Sequence, residues 1–166
     1  MRLSPRFFSL LLTTLVLSAC GFHLRGQMGM PFKKLYLDSA NPNTHLIGEL
    51  QRNLKSNRVE LVGTAEQAEV VLNIVFEIPD KQILSLGGNG RVSEFRLFYR
   101  VSLRAYDRQQ KDWIPAEEIT LIRDYSYDDT RALAKEAEES LLYQSMRSDM
   151  VQQIIRRLSR AKPQPE

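Results

Sequence analysis

Two histidines, one cysteine and a few adjacent carboxylates are the groups in this chain with the chemistry for catalysis or metal binding. His23 and His45 stand far apart, and no HExxH, GxSxG, P-loop or CxxC pattern accompanies them. A zinc site takes three or four ligands, which a single cysteine and two scattered histidines do not supply, so no metal or other cofactor is expected. Glu117-Glu118, Asp128-Asp129 and Glu138-Glu139 are paired carboxylates. Neighbours on a strand or helix point apart, so these pairs read as solvated faces or caps. No reaction-ready constellation can be named, and the chain reads as non-enzymatic.

Two other patterns could bind rather than react. Leu86-Gly87-Gly88-Asn89-Gly90-Arg91 has the glycine content of a phosphate loop. It precedes a strand pattern instead of a helix, so it lacks the helix N-terminus that such loops use. Asn89-Gly90 reads as a hairpin tip, flanked by exposed-looking Ile83, Leu84 and Leu86, and suits either insertion into a partner or plain flexibility. Arg96, Arg100 and Arg104 recur at every fourth position of the next strand, roughly 13–14 Å apart along one face. Such a row is either a solvated face paired with nearby carboxylates or a ladder for a multiply anionic ligand.

Cys20 has a different chemistry. Residues 1–6 are short and positive, and residues 7–17 form an uncharged apolar run, too short for the roughly 20 residues of a spanning helix. Leu17-Ser18-Ala19-Cys20 resembles the bacterial lipobox, in which the thiol takes a diacylglycerol, the leader is removed and the new amine is acylated. The expected organisation is a signal peptide at 1–19, a lipidated N-terminus and tether at 20–32, a single domain at 33–160 and a disordered tail at 161–166. Several acyl chains hold a protein stably on a bilayer, whereas one gives only about 10⁴ M⁻¹. Gly21, in place of Asp, follows the sorting pattern for the outer membrane of Gram-negative cells, on its periplasmic side. The net charge is +3, and Arg2 and Arg6 lie in the leader, which leaves about +1 and no global charge for nucleic-acid binding.

The elements that must position these residues follow from periodicity. Residues 33–38 read as a first strand, and Asn41-Pro42-Asn43-Thr44 as a helix start. Leu46, Ile47, Leu50 and Leu54 fall at helical spacing. Residues 59–62 read as extended or connecting. Val70, Leu72, Ile74, Phe76 and Ile78 alternate along a second strand that is expected to end at Pro79. Phe95, Leu97, Tyr99, Val101, Leu103 and Ala105 alternate along a third, against the polar row that holds the arginines. Residues 113–127 form a fourth strand, with Pro115 confined to an edge or bulge. Leu142, Met146, Met150, Ile154 and Leu158 mark a long helix over 131–158, with Asp128-Asp129-Thr130 at its start. The fold class is α+β. A two-layer sandwich is expected, in the order β-α-β-β-β-α, with a four-stranded sheet covered on one face by two helices. A right-handed crossover in the first β-α-β step would make that sheet mixed.

Cys20-Gly21-Phe22-His23-Leu24-Arg25-Gly26 resembles the mature N-terminus of the lipopolysaccharide-assembly lipoprotein family, LptE. Leu37-Asp38-Ser39-Ala40-Asn41-Pro42-Asn43, Val59-Glu60-Leu61, Ala132-Leu133-Ala134-Lys135 and Gln153-Ile154-Ile155-Arg156-Arg157-Leu158 extend the resemblance over nearly the whole chain after the leader. It implies an outer-membrane lipoprotein that plugs and helps assemble the LptD β-barrel and binds lipopolysaccharide, with the inner leaflet of the outer membrane holding its lipid. It also implies a lysine near the start of the last helix, which Lys135 matches, and a basic residue near the hairpin. The second position falls on Gly88 here, leaving either substitution by Arg91 or loss of that contact. The anionic ligand would be met by Lys135 and Arg91, and by Arg96 and Arg100 on the strand, with Leu86, Asn89 and Gly90 at the barrel. The alternative is a structural lipoprotein of another cell-envelope complex, with no lipid ligand.

Overall fold

The computed structural model describes residues 29–163. The elements in chain order are β1 (Lys34–Ser39), α1 (His45–Ser56), β2 (Glu60–Leu61), β3 (Val70–Leu86), β4 (Val92–Tyr106), β5 (Asp112–Ser126) and α2 (Ala132–Arg160). Single 3₁₀ turns at Ala65–Gln67 and Asp129–Arg131 precede β3 and α2. The sheet runs β2-β1-β3-β4-β5. β1 is parallel to both β2 and β3, and β3, β4 and β5 are antiparallel in turn. The fold is therefore α+β with a mixed sheet and two helices.

Two expectations need correction. The sheet has five strands, not four, and the order is β-α-β-β-β-β-α. The extra strand is Glu60–Leu61, registered Lys34↔Glu60 and Leu35↔Leu61. Two residues are too few to display an alternation, so the sequence leaves them as a connection. The second strand also does not end at Pro79, which stays in register opposite Tyr99. β1 pairs with β3 only as far as Ser39↔Ile74, so that side of the strand is open beyond this point. An open edge tolerates a residue without an N–H donor.

The apolar alternation on β4 is matched by burial of Leu97, Tyr99, Val101, Leu103 and Ala105. α1 closes over this face with Leu46, Ile47, Leu50 and Leu54, and the Thr44 hydroxyl accepts the Ile47 N–H at 3.3 Å to cap it. α2 contributes Met146, Met150, Val151, Ile154, Ile155 and Leu158, all from its second half. Phe32, within the expected tether, is buried with its ring edge-on to Trp113, and Ala161, the first residue of the expected tail, is buried too. Pro115 lies on edge strand β5 in a register shift between Leu103↔Glu117 and Ala105↔Ile114.

The alternation on β3 breaks in the middle. Ile74 faces Leu103 and Phe76 faces Ser102, so Val75 is an extra residue without a cross-strand partner. Before it, Val70, Leu72 and Ile74 point to the helices and are buried. After it, Glu77, Pro79 and Lys81 lie opposite Val101, Tyr99 and Leu97 on the helix side, while Phe76 and Ile78 pass to the outer face. The expectation that Val70 to Ile78 share one apolar face is thus corrected by a one-residue phase change.

Beyond this point polar contacts join the sheet to the first half of α2. Glu139 accepts from Lys81 Nζ at 2.8 Å and from the Tyr125 hydroxyl at 2.6 Å. Tyr143 donates to the Asp80 carbonyl at 2.7 Å, and Tyr99 donates to the Glu77 carboxylate. Burial raises all three phenols above their usual range, with neighbouring carboxylates adding to the effect, and Tyr143 is pushed up to about 12.

Two outcomes test this packing. Ile154→Ala should lower unfolding free energy by about 2–5 kcal/mol in urea titrations, because a fully buried side chain leaves a cavity. The raised phenol of Tyr143 favours the neutral form in the fold, so its contribution is complete below pH about 10 and is lost as pH rises toward 12. The thermal midpoint should fall across that interval, and Tyr143→Phe should flatten the fall.

Candidate functional site

The β3–β4 hairpin turns at Gly87 to Gly90. Gly87 N–H donates to the Arg91 carbonyl at 2.7 Å and Gly90 N–H to the Gly87 carbonyl at 2.9 Å. Gly90 has φ +74, in the left-handed region that a side chain disfavours, and the Asn89 side chain accepts the Arg91 N–H at 3.1 Å. Asn89 and Gly90 therefore form the tip, with Ile83, Leu84 and Leu86 exposed beside it.

Arg91 leaves this turn toward the start of α2 and pairs with Asp129 at 2.7 Å. Asp128 caps the same 3₁₀ turn by accepting the Thr130 N–H at 3.0 Å and its hydroxyl at 2.7 Å. These hydrogen bonds hold the Asp128 carboxyl below its usual range. One turn later Lys135 reaches Glu138 at 2.7 Å and the Ser126 hydroxyl at 3.3 Å. Arg91 thus contacts the short turn at Asp129, and Lys135 contacts Ser126, the last residue of β5 before that turn. Their exposures differ: the Arg91 side chain is 65% exposed and that of Lys135 14%.

The arginine row on β4 is not a uniform ladder. Arg96 makes a two-pronged contact with Asp124, Nε to Oδ1 and Nη2 to Oδ2, both at 2.8 Å. That pairing raises the guanidinium and lowers the carboxyl. Arg104 pairs with Asp112 at 2.7 Å and lies over the Tyr106 ring at 4.7 Å. Arg100 has no hydrogen-bond or ion-pair partner among the described residues. It sits between Ile78 and Thr120 on the adjacent strands. Ile78 and Ile122 are 39% and 51% exposed on this face, with Phe76 and Phe98 half-buried. No helix covers it. This apolar collar was missed in the sequence, although Phe98 between two arginines was its visible sign.

A cleft of about 590 Å³ on the helix side was also missed. It is lined by His45, Glu77, Tyr99, Tyr143 and Arg147 among others. Glu77 Oε2 is shielded and has no partner within the described residues. Only the phase change at Val75 turns Glu77 to this side. Among the described residues no three His, Cys, Asp or Glu side chains converge to hold a metal, and no helix is long and apolar enough to cross a membrane. Cys20 lies outside the described residues.

The family model for LptE, lipopolysaccharide assembly, matches residues 32–158. The LPS-assembly lipoprotein LptE of Pectobacterium atrosepticum is 28% identical over 158 residues, covering 92% of this chain and 85% of that protein. The protein of the same name from Yersinia pestis is 32% identical over 155 residues, covering 89% and 72%. Among solved structures, lipoprotein B from Nitrosomonas europaea superposes with TM-score 0.72 at 40% identity, covering 84% of this chain and 90% of that one. The rare lipoprotein B of Shewanella oneidensis superposes with TM-score 0.67 at 29% identity, covering 75% and 92%. A matched segment that spans every strand and both helices leaves no element outside the family's pattern: the chain belongs to the LptE lipopolysaccharide-assembly family, a family of lipoproteins and not of enzymes.

Proposed function

We propose that this chain is an outer-membrane lipoprotein, acylated at Cys20 with a diacylglycerol and an N-acyl chain. In this reading it plugs and helps assemble an LptD-type β-barrel, and holds lipopolysaccharide by its phosphates during transport to the surface. The observation that carries the ligand role is that Arg91 contacts Asp129 in the turn before α2 while Lys135 contacts Ser126 at the end of the strand leading into it. Each cation is held by an exposed carboxylate, Asp129 or Glu138. An exposed pair such as Arg91–Asp129 is worth only about 0–1 kcal/mol, and a phosphate offers three acceptor oxygens and more negative charge than a carboxylate. A phosphorylated lipid can therefore displace the carboxylates, and the pairs keep the cations in place until it does.

The geometry of β3 suits this role. Its 17 residues span about 53 Å, so the hairpin cations stand far from Phe32, where the chain arrives from its tether. A domain held by lipid at one end would present Arg91 and Lys135 at the other. The exposed Leu86 and the Asn89-Gly90 tip would meet the barrel wall, and the polar rim of the open face, with Arg96 and Arg100, suits a polar lumen. The low exposure of Lys135 favours a second reading, a structural lipoprotein of another cell-envelope complex without a lipid ligand.

Two experiments separate these readings. Arg91→Ala with Lys135→Ala should weaken lipopolysaccharide binding by the purified protein roughly tenfold or more, with Asp129→Asn tightening it, since charge-assisted bonds are worth about 1.5–3 kcal/mol. Unchanged binding in the double variant removes the ligand role. The parent chain should co-purify from envelope membranes with a large β-barrel protein, and Cys20→Ser should move it to the soluble fraction. Recovery of a different envelope complex would favour the second reading.

A further inference from the structure

The opposite end of the molecule from the hairpin carries a second set of cations. The last turns of α2 and the first residues of β5 enclose an open cleft of about 470 Å³. Trp113 and Pro115 form its apolar wall, and Arg156, Arg157 and Arg160 its basic one. Glu117 is the sole carboxylate on the lining, and Arg157 already takes it at 2.8 Å while also donating to Gln153. Arg156 and Arg160 are one helical turn apart, both exposed, and neither has an acceptor among the described residues. The indole N–H of Trp113 is shielded and also lacks one. The helix dipole favours basic residues near a C-terminus, but it supplies these two guanidiniums with no side-chain acceptor among the described residues beside the apolar wall.

This cleft lies where the chain enters the domain, because the Phe32 ring packs edge-on against Trp113 at 5.9 Å. We propose that it binds the phosphodiester headgroup of an anionic membrane lipid, with Arg156 and Arg160 on the phosphate and Trp113 against the glycerol and first methylenes. Arginine serves phosphate by its fork of donors, and tryptophan is favoured where an apolar layer meets water. Its placement beside a bilayer rests on the acylation of Cys20 proposed above, and residues 20–32 reach at most about 40 Å. The headgroup contact would fix the orientation of a domain that acyl chains alone leave free to swivel, with the hairpin directed away from the leaflet.

Trp113 is the only tryptophan in the chain, so its fluorescence reports on this cleft alone. The described core lies between Phe32 and Ala161, so a chain starting at residue 20 and carrying Cys20→Ser retains all of it. Titrated with vesicles of equal parts phosphatidylglycerol and phosphatidylcholine, it should show a saturable blue shift, absent with phosphatidylcholine alone. Loss of both arginines in Arg156→Gln with Arg160→Gln should weaken the response about 25-fold, at roughly fivefold for each basic residue near an anionic surface. The same charge change at Arg123→Gln with Arg131→Gln should alter it far less. Lipopolysaccharide binding should survive in the Arg156/Arg160 variant, which separates this site from the hairpin cations. Equal response to the two vesicle types, equal affinity in the two double variants, or full competition by glycerol 3-phosphate at matched phosphate concentration would each overturn the proposal.

Discussion

The extra residue at Val75 sets the character of everything beyond it on the sheet. Up to Ile74 the strand obeys an ordinary alternation, and its apolar side chains close onto two helices. One unpaired residue then exchanges the faces. Phe76 and Ile78 move outward to surround Arg100, and Glu77 and Lys81 move inward to meet Tyr99 and Glu139. The same strand thus builds a dry core in its first half and a polar seam in its second. The seam holds the first half of α2 by hydrogen bonds rather than by burial, and it is this half that carries Lys135.

That division explains what could be read from the residues alone. β4 was legible in full, since its alternation is unbroken and the core side of the pattern is buried. Both helices were legible because their apolar stripes face one sheet; the cap of α1 is local, whereas Asp128, expected to cap α2, caps the 3₁₀ turn before it and α2 itself has no side-chain cap. β2 was not, because its pairing with Lys34 and Leu35 is a tertiary event with no signature in two residues. The run of β3 through Pro79 was hidden for a related reason: the tolerance for proline comes from the absence of β1 alongside, which only the assembled sheet reveals. The contact of Arg91 with Asp129 depends on the hairpin reaching the start of α2, so family resemblance could suggest Arg91 and Lys135 but spacing could not. The pairing of Arg96 with Asp124 and of Arg104 with Asp112 likewise depends on register, which leaves Arg100, of the three, without a partner among the described residues.

The distribution of charge follows the long axis. At the hairpin end each cation is matched by a carboxylate at the surface, an arrangement that costs little to open and keeps flexible side chains ordered. At the other end two arginines and an indole N–H have no partner among the described residues and surround an apolar wall. A net charge of only +3 therefore conceals two clusters of basic side chains with different surroundings, one matched by carboxylates and one without acceptors among the described residues.

Both flanks of the sheet also bear on how two copies of this chain would meet. β5 is an edge along its whole length, and β3 is one from Val75 onward. Two such ladders on a domain with an uncovered apolar face would normally invite copies to zip together. Pro79 interrupts one flank and Pro115 the other, and register shifts kink both strands. The prolines and register shifts shorten the stretch of each flank that could serve as a template for edge-to-edge pairing.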